Sequence, residues 1–114
     1  MPSLNECMKS IRDLVSEKGH EDSLEDIPLK LLFAIVEVSE AVDIWKKNNF
    51  KEIEDIEEEI IDAVFYLLDA YGILLRDIGG KDPDQMFEYK LKKNFKRPRR
   101  YGSCLLYTSP SPRD

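Results

Sequence analysis

The segment from Leu29 to Trp45 has apolar side chains around almost the whole circumference of a helix. Most of its polar side chains lie in one narrow stripe, made of Glu37, Ser39, Glu40 and Asp43. A helix with this pattern is buried on most of its sides. A chain of 114 residues has little other structure with which to surround such a helix. We therefore expect a fold in which a second copy of the chain supplies part of the cover.

Helical periodicity and helix end signals predict three further helices. Ser3 and Glu6 form a capping box before the first helix, and Asp82 followed by Pro83 is typical of the start of the last. No segment has the alternation of apolar and polar residues that indicates a strand. The expected class is all-α, a four-helix bundle that dimerisation completes, with helices at about residues 4–18, 28–47, 51–77 and 83–97.

Two pairs of carboxylates stand in the most apolar parts of the chain, Glu37 with Glu40 and Glu59 with Asp62. The i,i+3 spacing places each pair on one face of its helix. A short loop near Asn48 makes the two helices antiparallel neighbours, and the pairs lie at similar distances before and after it. An acidic stripe is most often a solvated face. Four carboxylates that meet at one level, however, favour a hard divalent cation such as Mg2+.

The end of the chain is predicted to be foreign to the domain. The stretch from Cys104 to Asp114 is what a transposase adapter used in preparing sequencing libraries would encode. We therefore expect one domain over residues 1–102 and a non-native tail over residues 103–114. The charges of Arg113 and Asp114 cancel, so the formal net charge stays at −6 without the tail.

This acidic balance argues against a general binder of nucleic acids or of anionic membranes. The longest uninterrupted apolar run, residues 31–36, is far too short to cross a bilayer. No basic start and apolar stretch of a signal peptide follow Met1. Without the tail, Cys7 has no second cysteine for an internal disulfide, which is typical of a reducing compartment. We expect a cytoplasmic protein with no nucleic-acid and no membrane partner.

The acidic motifs resemble a known family. EVSE at residues 37–40, followed by EIID at residues 59–62, resembles the ExxE and ExxD motifs of the MazG-like nucleoside triphosphate pyrophosphohydrolases. The stretch from Lys90 to Gly102 is similar to the family's C-terminal K…N…RP…G segment. The resemblance covers about residues 28–102. Many members carry an additional acid directly before the first motif, where this chain has Val36.

The resemblance implies an all-α enzyme that uses Mg2+, with Mn2+ as a substitute, to split a nucleoside triphosphate into the monophosphate and pyrophosphate. It implies a homodimer or homotetramer with a role in cleaning the nucleotide pool. By position, the metal ligands and catalytic acids would be Glu37, Glu40, Glu59 and Asp62. Lys90 and Asn94, which are i,i+4 on one face of the fourth helix, would contact phosphate. Arg97 is a further candidate for that contact.

Tyr66 lies one turn after Asp62 and could stack on a base or simply pack inside the fold. His20, the single histidine, is expected in a loop near the entrance to the site. Three other functions stay open at this level: phosphoribosyl-ATP pyrophosphohydrolase, dUTP diphosphatase, and a non-catalytic helical interaction module. The last of these would show no dependence on a metal.

Overall fold

The computed structural model describes residues 1–48 and 52–98, without the side chain of Asn48. Within these ranges it contains four α-helices and no strand, so the predicted all-α class is confirmed. The helices are α1 (Leu4–Lys18), α2 (Ile27–Asn48), α3 (Ile53–Asp77) and α4 (Pro83–Lys96). The chain divides into two compact units, one of residues 1–80 and one that begins at Lys81.

The helix ends follow from local side chains. The Ser3 hydroxyl accepts a hydrogen bond from the backbone N–H of Glu6, whose carboxylate accepts one from the backbone N–H of Ser3. Gly19 closes α1 in the left-handed region with φ of 70°, which glycine adopts at no steric cost. Asp82 caps α4 in the same way as Ser3 caps α1, with Pro83 at the first position.

Two details differ from the predicted boundaries. The segment between α1 and α2, expected to be a plain loop, contains a 3₁₀ turn at Leu24–Asp26. Its Asp26 carboxylate accepts hydrogen bonds from the backbone N–H and the hydroxyl of Ser23, which together lower the pKa of Asp26. Because this turn leads directly into the helix, α2 begins at Ile27, before the proline. The predicted start of α3 at Lys51 lies outside the described residues.

The apolar core of residues 1–80 is small. Ile11 and Val15 of α1 pack with Leu68 of α3, and Cys7, Met8 and Val64 lie against them. Cys7 is thus a partly buried, small apolar side chain that packs against this core. Ile73 of α3 is fully buried. A core of this size buries few of the apolar side chains that the sequence offers.

A buried ion-pair network supplements this core. The carboxylate of Asp69 on α3 accepts a hydrogen bond from Lys30 Nζ of α2 at 2.6 Å. It also forms an ion pair with Arg12 of α1. Arg12 also forms an ion pair with Asp22, which lies in the connection between α1 and α2. Arg76 of α3 pairs with the same Asp22 at 2.9 Å. One carboxylate therefore joins all three helices of this unit.

Gly72 gives Arg12 the space that this network needs. A Cβ atom at residue 72 would lie 2.5 Å from Cδ of Arg12, well inside van der Waals contact. Glycine in a helix interior costs roughly 1 kcal/mol relative to alanine. The cost is offset here because the arginine stem can cross α3 at this point and reach Asp69.

A stripe of apolar side chains on α2 is exposed in the single chain. The stripe repeats at helical spacing and consists of Leu31, Ile35, Val38, Val42 and Trp45. Ile35, with 63% of its surface exposed, is the most accessible of them. Contiguous apolar surface of this kind marks an interaction site more often than a solvated face. In the described parts of the chain, no helix has both the length and the hydropathy to span a membrane.

Candidate metal centre and adjoining cavity

Three of the four predicted acids converge. Glu37 and Glu40 on α2 and Glu59 on α3 each place a carboxylate oxygen within 4.8 Å of the other two. Glu37 and Glu59 are partly buried, whereas Glu40 is exposed. The hairpin of α2 and α3 thus brings together side chains that are about 20 residues apart in the sequence.

Asp62 is the fourth acid, and it does not come within this distance of all three others. Its negative charge nevertheless acts on Glu59, and its side chain lines the cavity that also contains Glu37. Of the four acids that were predicted to meet, Glu37, Glu40 and Glu59 form the close group. Asp62 lies beside that group, on the side of the cavity.

The electrostatics of the cluster show the cost of gathering these acids. Partial burial, a hydrogen bond to Glu37, and the negative charges of Glu40, Glu37 and Asp62 together raise the pKa of Glu59 to about 7. The ordinary value for this side chain is 4.5. The raised pKa of Glu59 means that, without a cation, binding of a proton relieves part of the repulsion among these acids.

The donor set fits a hard divalent cation. All members are carboxylates, and no histidine or cysteine of the described chain joins them. Oxygens on opposite sides of one Mg2+ ion are about 4 Å apart, and for Ca2+ about 5 Å. The spread of 4.8 Å lies within the span of a Ca2+ ion, and the carboxylates would have to move closer together to hold the smaller Mg2+. Glu37, Glu40 and Glu59 would hold the ion, and Asp62, whose charge also acts on Glu59, is a further candidate.

A cavity of about 490 Å³ adjoins the cluster. Glu37 and Asp62 form part of its wall, and Phe33, Phe65 and Tyr66 provide aromatic surface. Its apolar remainder comes mainly from α1, through Ile11, Leu14 and Val15, and from Leu29 of α2. His20 also lines it, in agreement with its predicted place near the site. This volume lies in the range of small-molecule sites.

Side chains of α2 that pair with side chains of α3 follow one another along the two helices, and each such pairing is called a level here. Lys30 meets Asp69 at 2.6 Å, and the rings of Phe33 and Tyr66 have centroids 5.4 Å apart. In both pairs, and in the pair of Glu40 and Glu59, the two residues are equally far in sequence from the middle of the connection between α2 and α3. Along the seam, by which we mean the line of paired side chains between α2 and α3, an ion pair is followed by two aromatic rings and then by the acidic cluster.

Sequence reasoning missed the first of these levels. Asp69 belongs to a polar line on α3 that would ordinarily be solvated, yet only 4% of it is exposed. Lys30 is 7% exposed, and these two are the only buried charged residues of the described chain. The sequence does contain a signal for this pairing. Lys30 precedes Glu37 by seven residues and Asp69 follows Asp62 by seven, and that spacing keeps each of them on the helix face of the acid.

Tyr66 packs against Phe33 at an interplanar angle of 51° and also lines the cavity. Both roles that its sequence position suggests, packing and ligand contact, are therefore open to it geometrically.

The predicted phosphate contacts belong to the second unit. Lys90 is exposed on α4, and Arg97 caps the end of that helix in an extended conformation. The side-chain oxygen of Asn94 is buried without a hydrogen-bond partner among the described residues. In the same unit, Lys81, which precedes α4, lies 5.5 Å from the ring centroid of Tyr89 on that helix. The approach of Lys90, Asn94 and Arg97 to the acids stays a prediction.

Comparison of the chain with family models, curated proteins and solved structures finds no significant match.

Proposed function

We propose that the chain is a Mg2+-dependent nucleoside triphosphate pyrophosphohydrolase. The observation that supports this most directly is the convergence of Glu37, Glu40 and Glu59 beside a cavity of about 490 Å³. A carboxylate cluster repels a triphosphate, so it can serve one only through a cation. When bound, Mg2+ supplies the positive charge that the phosphate oxygens require.

The reaction consumes one water and yields a nucleoside monophosphate and pyrophosphate. The acids of the cluster hold the cation, and a carboxylate that is not fully engaged accepts the proton of the attacking water. Lys90 and Asn94, with Arg97 beside them in sequence, contribute hydrogen bonds to phosphate oxygens. In this proposal the enzyme removes unwanted nucleotides in the cytoplasm.

The test is product analysis across the canonical and several damaged nucleoside triphosphates, with Mg2+, with Mn2+ and with a chelator. We expect monophosphate and pyrophosphate in equal amounts, and only with a metal present. Activity confined to dUTP or to phosphoribosyl-ATP would identify the corresponding narrower enzyme. Intact substrates across the whole panel would favour the helical interaction module instead.

Metal affinity should depend on pH, because Glu59 must lose its proton to bind a cation. Below pH 7 we expect the association constant for Mg2+ to rise up to about tenfold per pH unit, and above pH 8 to level off, since the pKa of Glu59 is about 7. Calorimetric titration with Mg2+ between pH 5.5 and 8.5 measures this. A constant affinity from pH 6 to pH 8 would contradict the assignment of Glu59 as a ligand.

The same group sets a trend in the stability of the metal-free protein. Its folded-state pKa lies above the ordinary value of 4.5, so its protonated form favours the folded state. That contribution is fully present below about pH 4.5 and is lost as the pH rises through about 7. Added Mg2+ should restore stability at the upper end of this window.

We also propose that the enzyme is a homodimer or a homotetramer. The exposed stripe on α2, in which Ile35 is the most accessible side chain, supports this because contiguous exposed apolar side chains are typical of an interaction surface. Ile35→Lys should shift the protein to monomers in sedimentation experiments, whereas Glu57→Lys, at an exposed site on α3, should not. A wild-type monomer at micromolar concentration would contradict this proposal.

A further inference from the structure

We propose that the cavity beside the acidic cluster binds the nucleoside, and that the buried pair of Lys30 and Asp69 reads the edge of its base. This inference rests on the proposed function and specifies how the same site would select a substrate. It makes Lys30 and Asp69 specificity-determining residues and assigns the aromatic level between them and the acids to the base ring.

The first argument is the burial of two charges on the wall of one cavity. Lys30 and Asp69 are 7% and 4% exposed, and both line the cavity that Glu37 and Asp62 line. Desolvation makes such a pair expensive, and replacement by apolar side chains is often neutral or stabilising. Stability alone is therefore a weak explanation for its presence. A binding pocket, by contrast, uses a few polar groups on apolar walls to orient its ligand.

The second argument is the chemistry that the pair offers. Lys30 Nζ donates to one Asp69 oxygen at 2.6 Å and has further N–H donors, while Asp69 has additional acceptor lone pairs. A donor therefore stands directly beside an acceptor. The hydrogen-bonding edge of a nucleobase also presents a donor beside an acceptor, so the two surfaces are complementary.

The third argument is the order of the levels along the seam. Lys30 and Glu37 are seven residues apart on α2, as are Asp62 and Asp69 on α3, which corresponds to a rise of about 10 Å. The rings of Phe33 and Tyr66 lie between these two levels. A nucleotide has the same sequence of chemical groups, from base edge through planar ring to phosphates. The phosphates would thus lie at the acidic end, where the cation binds.

The test combines two variants with a matched control. Lys30→Met removes the donor at nearly constant volume and leaves Asp69 paired with Arg12, so the fold should survive. Leu14→Trp fills the cavity from α1. Ser16→Trp adds the same ring on the exposed side of that helix and serves as the control. Circular dichroism and Mg2+ titration verify that fold and metal site are intact.

We expect Lys30→Met to reduce the ratio of kcat/KM between the best and the worst base by about 10-fold to 100-fold, the effect of one lost hydrogen bond to a charged group. Leu14→Trp should lower kcat/KM for every nucleoside triphosphate at least about tenfold through loss of cavity space. Ser16→Trp should behave as the wild type. Unchanged kcat/KM values in both test variants would overturn the inference while leaving the proposed hydrolysis intact.

A second measurement keeps the inference testable if no triphosphate is hydrolysed. Calorimetric titration of the wild type with the free nucleosides, which need no metal, should show binding of at least one of them. That binding should be lost in Leu14→Trp and kept in Ser16→Trp. Absence of binding by any nucleoside, together with absence of hydrolysis, would overturn the inference and the proposed function together.

Discussion

Replacing Glu59 by glutamine should lower turnover of nucleoside triphosphates by at least about 100-fold. A carboxylate oxygen of Glu59 lies within 4.8 Å of both acids of α2, so its loss would leave Asp62 as the single acid that α3 offers to a bound cation. Loss of a single ligand or of its supporting group typically costs 10-fold to 100-fold or more in metal affinity or activity. Asp62→Asn should have a similar effect, because it removes the next carboxylate on the cavity side. Product release measured at saturating Mg2+ quantifies both changes.

The matched control is Glu58→Gln, which removes one negative charge from an exposed neighbour of Glu59 on the same helix. It should retain most of the activity, since exposed charges contribute little at physiological ionic strength. All three variants should keep the helical content of the wild type. Full activity in both Glu59→Gln and Asp62→Asn would show that the ligand assignment is wrong.

Asp69→Ala should reduce the free energy of unfolding by about 3 to 5 kcal/mol. The change leaves Lys30 buried without its carboxylate and removes one partner of Arg12. A domain of this size has roughly 5 to 15 kcal/mol of stability, so the variant should be partly unfolded at modest urea concentration. Urea denaturation followed by circular dichroism measures the difference.

Arg76→Ala provides the comparison for this prediction. Arg76 also belongs to the network, through Asp22 and Asp77, but about 45% of its side chain is exposed. Exposed ion pairs contribute little to stability, so the loss should be much smaller than that caused by Asp69→Ala. Equal effects of Asp69→Ala and Arg76→Ala would mean that burial does not govern the strength of this network.

The fold class and the acidic cluster could be predicted because both depend on local periodicity. Capping by Ser3 and Asp82 marks helix starts in the sequence itself, and the i,i+3 spacing of acids on two helices joined by a short connection fixes which faces meet. The same reasoning placed Glu37, Glu40 and Glu59 together. The role of Asp62 as a fourth ligand stays a prediction, because helical spacing fixes which face a side chain shares but not how far its carboxylate reaches.

The buried ion pairs could not be predicted in the same way. Lys30 and Asp69 are 39 residues apart, and a lysine near a helix start or an aspartate on a polar stripe is ordinarily solvated. Their burial depends on how α1 covers the hairpin. Gly72 was a visible signal of that packing, because glycine inside a helix is unfavourable unless another group occupies its space. Only the structure shows that this group is Arg12.

The shared symmetry point of the cross-helix pairs has a consequence for how such a site can vary. Side chains at the paired levels of α2 and α3 cannot be exchanged freely in chemical type, because each of them meets a partner on the other helix. One residue inserted into α2 between Lys30 and Glu40 would rotate the side chains that follow it by about 100° around the helix. The side chains at one end of α2 would then no longer meet their partners on α3. Between these levels α2 and α3 must therefore keep equal numbers of residues, and an insertion in one helix requires an insertion at the matching place in the other.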